Sequence, residues 1–391
     1  VSAPEPVNGT PPDVAQRLQA IRVTIDGLDR DLLALLNRRA ALSLEVGRIK
    51  ATDPGIVFRP FREREVFDNL EAANEGPLPD EHLRAIWREI ISSSRSLQRP
   101  QRVAYLGPEG TFSYFAGMEF LGRAMDYRPQ PGLPDVFRAV HDRQCELGIV
   151  PLENSLQGTV GQSLDLFLQH EVFIQAELFC RISHCLLGTA AALADIDTVY
   201  SHPQPLAQCG GWLRAHLPNA RIIPTESTAA AARRAAGEAG AAAIGHRSLA
   251  DLLGLNVLER GIEDQPDNWT RFVVIAPAPA DQQGREKTSM LFSLPDKAGA
   301  LAGVLELLAR EGINMKKLES RPLRGEKWQY VFFVDVECDL GTERYARLVE
   351  ELRTLCHTLR ILGSYPVGPH FDMAAHEALP GLPDQIGQGG L

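Results

Sequence analysis

Asn268-Trp269-Thr270-Arg271-Phe272-Val273-Val274-Ile275 carries a polar loop into an apolar strand, with a hydroxyl and a guanidinium side by side at the point of entry. A rigid sheet holding polar groups at a strand end is a common way to edge a binding cleft. Two corners upstream share this texture. Tyr105-Leu106-Gly107-Pro108-Glu109-Gly110-Thr111-Phe112-Ser113 is one, and Val150-Pro151-Leu152-Glu153-Asn154-Ser155, followed by Gly158-Thr159-Val160, is the other. Each runs from a strand through small and hydroxyl residues toward a helix, and three such corners predict one pocket. Around them short β-branched runs (103–106, 147–151, 172–174, 198–200, 221–224, 242–244 and 270–275) alternate with helical stretches. That alternation predicts an α/β domain of two lobes, with a ligand crevice at a switch in strand order.

Toward the N-terminus, apolar residues recur at Leu18, Ile21, Ile25, Leu28, Leu32, Leu35, Leu36, Leu42, Val46 and Ile49. The helical period holds from Val14 to Lys50, a single helix of ~35 residues and ~50 Å. Two shorter helices are predicted over 61–74 and 80–96, separated by Gly76-Pro77-Leu78-Pro79. Three helices cannot cover so long a stripe, so a dimer is expected. Toward the C-terminus, Pro277-Ala278-Pro279-Ala280-Asp281-Gln282-Gln283-Gly284 reads as a linker. Beyond it strand, helix, strand, strand, helix and strand follow at 289–294, 300–310, 313–320, 330–336, 342–357 and 360–364, a ferredoxin-like order. The ends, Val1–Pro12 and the residues after Gly368, are rich in Pro and Gly and read as a disordered leader and a frayed tail.

The chain of 391 residues is 44% hydrophobic and 23% charged, with a net charge of −10. These values fit two or three globular domains and argue against a nucleic-acid surface or an anionic membrane as the main partner. The cysteines at 145, 180, 185, 209, 338 and 356 lack the close spacing of a zinc site or redox dithiol. Reduced thiols in a cytoplasmic protein are expected. Nothing resembles a metal cluster, a phosphate-binding glycine loop or a cofactor lysine, so no cofactor and no metal are expected.

The three corners together resemble prephenate dehydratase. The flanking segments resemble the two modules that accompany it in the bifunctional chorismate mutase/prephenate dehydratases of phenylalanine biosynthesis. The resemblance covers roughly residues 14 to 366 and implies this order: leader 1–13; an all-α chorismate mutase domain, 14–99, as three helices in an intertwined dimer; a two-lobed α/β dehydratase domain, 102–277, like periplasmic binding proteins; linker 278–286; an α+β ferredoxin-like ACT regulatory domain, 287–367; and tail 368–391. It further implies a homodimer or homotetramer.

For the helical domain the resemblance runs from Arg22 through Lys50, then Arg62-Glu63, then Ser94 and Gln98. Arg39 and Lys50 return to within ~20° of one helix face, whereas Arg22 lies ~25 Å away along the axis. By resemblance Arg39 and Arg62 clamp the chorismate dianion, and Arg22 arrives from the other protomer. Lys50 and Gln98 donate to the breaking ether oxygen, Glu63 holds the ring hydroxyl, and Ser94 lines the site. Bidentate guanidinium–carboxylate pairing suits such a substrate. One departure is Arg59, where some members carry an acid three residues before the matching arginine.

For the dehydratase the resemblance assigns Thr270 to the departing hydroxyl and Arg271 to a carboxylate, with Phe272 beside them. Glu153, Asn154 and Ser155 form a second wall, and Thr111 and Ser113 a third. Ser201-His202-Pro203-Gln204, with Gln208 and Cys209 following, resembles a fourth element on the second lobe. Ser201 reads equally as a helix cap. In the last domain Gly299-Ala300-Leu301 and Glu319-Ser320-Arg321-Pro322 resemble the two motifs that bind phenylalanine in ACT domains. Two rival readings are an arogenate-preferring dehydratase and a non-catalytic amino-acid sensor.

Overall fold

The computed structural model describes residues 12–50, 58–280, 285–322 and 330–372. Most of the expected leader, residues 281–284 of the expected linker and residues 373–391 of the expected tail therefore lie outside the described residues.

The N-terminal unit is three helices, α1 (Pro12–Ile49), α2 (Pro60–Ala72) and α3 (Asp80–Gln98). Pro60 opens α2, where its missing N–H costs nothing and its fixed φ fits the first turn. Asp80 and Glu81 in the first turn of α3 and Arg95 in its last complement the helix dipole. α1 lies against α3, and Gly47 permits the closest approach, since a Cβ there would sit 2.6 Å from the Gln98 carbonyl oxygen. The rest of α1 is bare: Leu28 and Leu42 are each 63% exposed, and Leu18, Ile21, Leu35 and Ile49 are exposed too.

The first lobe contains β1 (Arg102–Leu106), α4 (Phe112–Leu121), β2 (Asp126–Gln130), α5 (Leu133–His141), β3 (Leu147–Asn154), β4 (Gly158–Thr159), α6 (Gly161–Gln169) and β5 (Phe173–Arg181). The chain then crosses to a second lobe of β6 (Cys185–Gly188), β7 (Thr198–Ser201), α7 (Pro203–Gln208), α8 (Gly210–His216), β8 (Arg221–Pro224), α9 (Thr228–Ala236), β9 (Ala241–Gly245), α10 (Ser248–Leu253) and β10 (Asn256–Arg260). It returns through β11 (Trp269–Ala276), which inserts antiparallel between β3 and β5. The two crossings are tied together by the Ile182 N–H to Asn268 carbonyl and Ile262 N–H to His184 carbonyl bonds.

The C-terminal unit is β12 (Lys287–Ser293), α11 (Ala300–Arg310), β13 (Met315–Pro322), β14 (Tyr330–Val336), α12 (Ala346–Leu355) and β15 (Thr358–Tyr365), the expected order. Its sheet runs β13-β14-β12-β15. One face, with Met290, Phe292 and Val334, packs on α11 and α12. The other, with Leu291, Phe333, Leu362 and Tyr365, joins the core of the first lobe. Contact there is tight enough that a Cβ at Gly363 would meet the Ile174 carbonyl oxygen at 2.1 Å.

The first-lobe sheet runs β16-β5-β11-β3-β1-β2 and the second β10-β6-β9-β7-β8. β16 (His370–Asp372) pairs parallel with β5, so the part of the expected tail from 370 to 372 is a strand. β2, β10 and β16 were missed because they are edge strands with mostly exposed or half-buried side chains, which leaves no alternation by which to read them. β6, no shorter than β7 and β8, was missed too.

Candidate functional site

In the first lobe β1 is flanked by β2 on one side and β3 on the other, both parallel to it. The strand order therefore reverses between β1 and β3, and the space beyond their carboxyl ends is where a sheet of this kind forms its ligand crevice. Thr111 stands beyond β1, Asn154 and Ser155 close β3, and Thr270 begins the antiparallel neighbour β11, directly paired with Asn154. In the second lobe β7 is likewise flanked by β8 and β9, and Ser201 ends β7. The four elements singled out in the sequence thus meet at the two strand-order switches.

Thr270 is 8% exposed and accepts a hydrogen bond of 3.0 Å from the Asn154 side-chain amide. That amide is fixed from behind, because Asn154 Oδ1 accepts from the Leu156 and Gln157 N–H groups at 3.1 and 3.0 Å while Nδ2 also donates to Asn268 Oδ1 at 2.6 Å. With its oxygen already accepting, the Thr270 hydroxyl has its proton to give. Ser155 staples the loop, accepting from the Trp269 N–H at 2.9 Å and donating to the Asp267 carbonyl. Thr111 caps α4, accepting from the Tyr114 N–H and donating to the Leu106 carbonyl at 2.7 Å. It presents the first turn of α4, with buried Ser113, and the N–H groups of a helix start suit an anion. Phe272, on the Thr270 side of β11, is packed into the lobe core. Gln204 donates to Gln157 at 2.7 Å and bridges the lobes.

Three of the expected residues are not brought to Thr270. Arg271 does not face the crevice with Thr270, because successive side chains on a strand point to opposite faces. Its guanidinium, 5% exposed, is held by Asp335 at 2.5 Å, Glu177 at 2.7 Å and the Tyr365 hydroxyl at 3.0 Å. Burial alone would lower its pKa, but Tyr365, Asp335 and Glu177 more than reverse this and raise it. Glu153 is turned the same way, 2.8 Å from Lys317 and 4.0 Å from Arg271. Ser201 is fully buried and donates to the Ile244 carbonyl at 2.7 Å, while the cap of α7 is the neighbouring His202.

Two buried residues escaped notice. Asn268 belongs to the decisive stretch, and a polar residue two places before Thr270 on the same strand side was the available signal. His184, 1% exposed, bonds Gln208 at 2.8 Å, and burial lowers its pKa, keeping the ring neutral. Its ring edge meets Phe112, which also contacts His246. No motif marks His184, so nothing in the sequence distinguishes it.

Along the seam of α1 and α3, Arg39 donates to the Ser94 hydroxyl and the Ile90 carbonyl, and burial lowers its pKa. Gln98 abuts Gly47, and Lys50 follows just past that contact, so Arg39, Ser94, Gln98 and Lys50 share one seam. Arg22 lies exposed far along α1, and Arg62 pairs with Glu65 on an exposed helix face. Glu63 is tied to Arg95 at 2.8 Å. Ser94 and Arg95 are adjacent on a helix and so point ~100° apart. A cavity of about 560 Å³ lies between α2, α3 and the edge of the first lobe, and Glu63 alone of the residues singled out lines it.

In the C-terminal unit Gly299 has φ +82, a left-handed turn that favours glycine, and caps α11, opening on Ala300 and Leu301. On β13 the side chains alternate. Glu319 and Arg321 turn toward the first lobe, where Glu319 accepts from Thr159 at 3.1 Å and Arg321 lies 3.4 Å from Asp165, whereas Ser320 and Pro322 are exposed. Among the described residues no group of His, Cys, Asp and Glu is placed to hold a metal, and no helix is long and apolar enough to cross a membrane.

Compared with known proteins, the chain matches three families: chorismate mutase type II over residues 21–99, prephenate dehydratase over 103–280 and the ACT domain over 288–356. It is 40% identical over 355 residues to the bifunctional chorismate mutase/prephenate dehydratase of Aquifex aeolicus (strain VF5), covering 90% of this chain and 98% of that one. Two solved structures resemble it with a TM-score of 0.62 over 68% of this chain. One is the prephenate dehydratase from Arthrobacter aurescens in complex with L-Phe, 33% identical and 90% covered. The other is GqqA, described as a novel type of quorum quenching acylase, 32% identical and 98% covered.

Proposed function

The chain belongs to the family of bifunctional chorismate mutase/prephenate dehydratases, and from that premise we propose how its residues divide the work. It rearranges chorismate to prephenate, converts prephenate to phenylpyruvate, and is feedback-inhibited by L-phenylalanine. The mutase occupies the helical unit, 14–99, the dehydratase the two lobes, 102–277, and the regulatory unit 287–367.

The mutase step is pericyclic and needs no base or nucleophile, only a folded substrate and donors where charge gathers. Arg39 holds a carboxylate, Lys50 and Gln98 serve the ether oxygen, and Ser94 orients Arg39. Arg62 is free to exchange its exposed Glu65 partner for substrate, since such a surface pair contributes little. Arg22 cannot reach this seam within its own chain and acts from a second protomer. The bare apolar stripe of α1 supports that dimer, because so much exposed Leu and Ile needs a cover.

The dehydratase step loses carbon dioxide and hydroxide from one ring and gains aromaticity, so the protein's task is alignment and help for the departing oxygen. The observation that carries this assignment is the Asn154-to-Thr270 hydrogen bond at the strand-order switch. Thr270 gives its proton in a hydrogen bond to the leaving hydroxyl, Asn154 aims it, and the first turn of α4 with Thr111 and Ser113 receives a carboxylate. Six cysteines without disulfides support a reducing, cytoplasmic setting. The test is turnover of chorismate and of prephenate measured separately, with and without phenylalanine, and with arogenate beside prephenate. Prephenate consumption slower than arogenate consumption would move the substrate assignment to arogenate.

A further inference from the structure

We propose that Arg271 and Glu153 are positioning residues through which the regulatory sheet sets the dehydratase crevice, so that phenylalanine acts on Thr270 and Asn154 through their immediate chain neighbours. This rests on the reading of the C-terminal unit as the phenylalanine switch.

Thr270 and Asn154 are directly paired across β11 and β3, and so are Arg271 and Glu153. Strand alternation sends the first pair into the crevice and the second to the opposite face. There both neighbours end on groups of the regulatory sheet. Arg271 meets Asp335 of β14 at 2.5 Å and Tyr365 of β15 at 3.0 Å, and Glu153 meets Lys317 of β13 at 2.8 Å. The inner group is closed and neutral: Arg271 and Lys287 face Glu177 and Asp335, with Lys287 2.9 Å from Glu177, and Ser289 donating to Asp335. Such a buried network of paired charges holds its members in one geometry, because removing a partner leaves an uncompensated charge.

The strand that carries one effector motif is also the strand that grips the first lobe. On β13, Lys317 donates to Thr159 at 2.7 Å besides pairing with Glu153, and Thr159 in turn donates to Glu319. Arg321 lies over the start of α6, where a Cβ on Gly161 would come within 2.8 Å of its guanidinium. A shift of β13 when a ligand settles at its exposed edge must either carry Glu153 with it or break the Glu153–Lys317 pair. A register irregularity of β11 against β3 falls between Arg271 and Phe272, next to the pairing that such a shift would stress. The coupled element is therefore the β3–β11 pair, whose two faces read effector and substrate respectively.

The test compares the full-length wild type with Asp335→Asn and, at the margin of the contact, Lys317→Gln. Dehydratase rate on prephenate is followed across phenylalanine concentrations, phenylalanine binding by calorimetry, and folding by melting temperature. Both variants should bind phenylalanine and keep the mutase rate, while the depth of inhibition at saturation shrinks at least about fivefold. Lys317→Arg, which keeps the charge, should restore it, as a merely structural role of Lys317 would not require. Inhibition of wild-type depth in the folded variants overturns the coupling, and if Asp335→Asn does not fold, the two Lys317 variants decide alone. Failure of phenylalanine to bind the wild type would instead overturn the regulatory reading, and this inference with it.

Discussion

Thr270 is poised by what stands behind it. Asn154 donates to its oxygen and is locked by two backbone N–H groups, so the hydroxyl proton is directed outward. Replacing Thr270 with Val keeps shape and removes the donor; the dehydratase rate should fall ~10²–10³-fold, as for loss of one preorganised donor. The mutase rate, measured on the same protein, should not change. The role of Thr270 came from the resemblance, while its position at a strand entrance was legible as a local pattern. The orientation of Arg271 was not, although strand alternation forbids both side chains from sharing a face; the motif was read as one cluster. Glu153 misled for the same reason, since a carboxylate beside Asn154 on a strand lies on the other side of the sheet.

Among elements, α1 was the clearest, because its apolar period persists over the whole helix and is indifferent to tertiary context. Its partner was legible only as a need: the structure leaves Leu28 and Leu42 63% exposed. For the proposed dimer, Leu28→Glu should give a monomer in sedimentation and remove the mutase rate with it. Arg39→Ala should cost more than about 100-fold in mutase turnover, the scale for truncating a buried charge-pair partner, and leave dehydratase turnover alone. Co-expressed Arg22→Ala and Arg39→Ala chains should recover about a quarter of the wild-type mutase rate, since a symmetric two-site heterodimer rebuilds one intact site. No recovery would place Arg22 outside the site. The edge strands β2, β10 and β16 stayed hidden because their side chains are largely solvated, leaving no contrast between faces.

At the scale of the whole molecule, the regulatory sheet is part of the dehydratase's foundation rather than an appendage. Burial alone would raise the Asp335 carboxyl, but Arg271, Lys287 and Ser289 together more than offset it and hold it below its ordinary value. A lowered carboxyl contributes stability that is present above its unfolded pKa of about 4 and is lost as pH falls through the folded value. The melting temperature should therefore hold between about pH 7 and 5 and drop below about pH 4, with Asp335→Asn showing less of that acid dependence. Deleting residues 287–391 removes inhibition only at the cost of stranding Arg271 and Glu177, so the truncated chain should melt well below the full one. None of this was legible in the sequence, because Glu177, Lys287 and Asp335 stand on three different strands, far apart in the chain.

If one chain holds two separate sites, the second built on Thr270, a change at Thr270 must separate the two activities. Supplying chorismate to purified Thr270→Val and following both products tests it most directly. Prephenate should accumulate at the wild-type mutase rate with phenylpyruvate nearly absent. Phenylpyruvate released as fast as from the wild type would remove Thr270 from the second site.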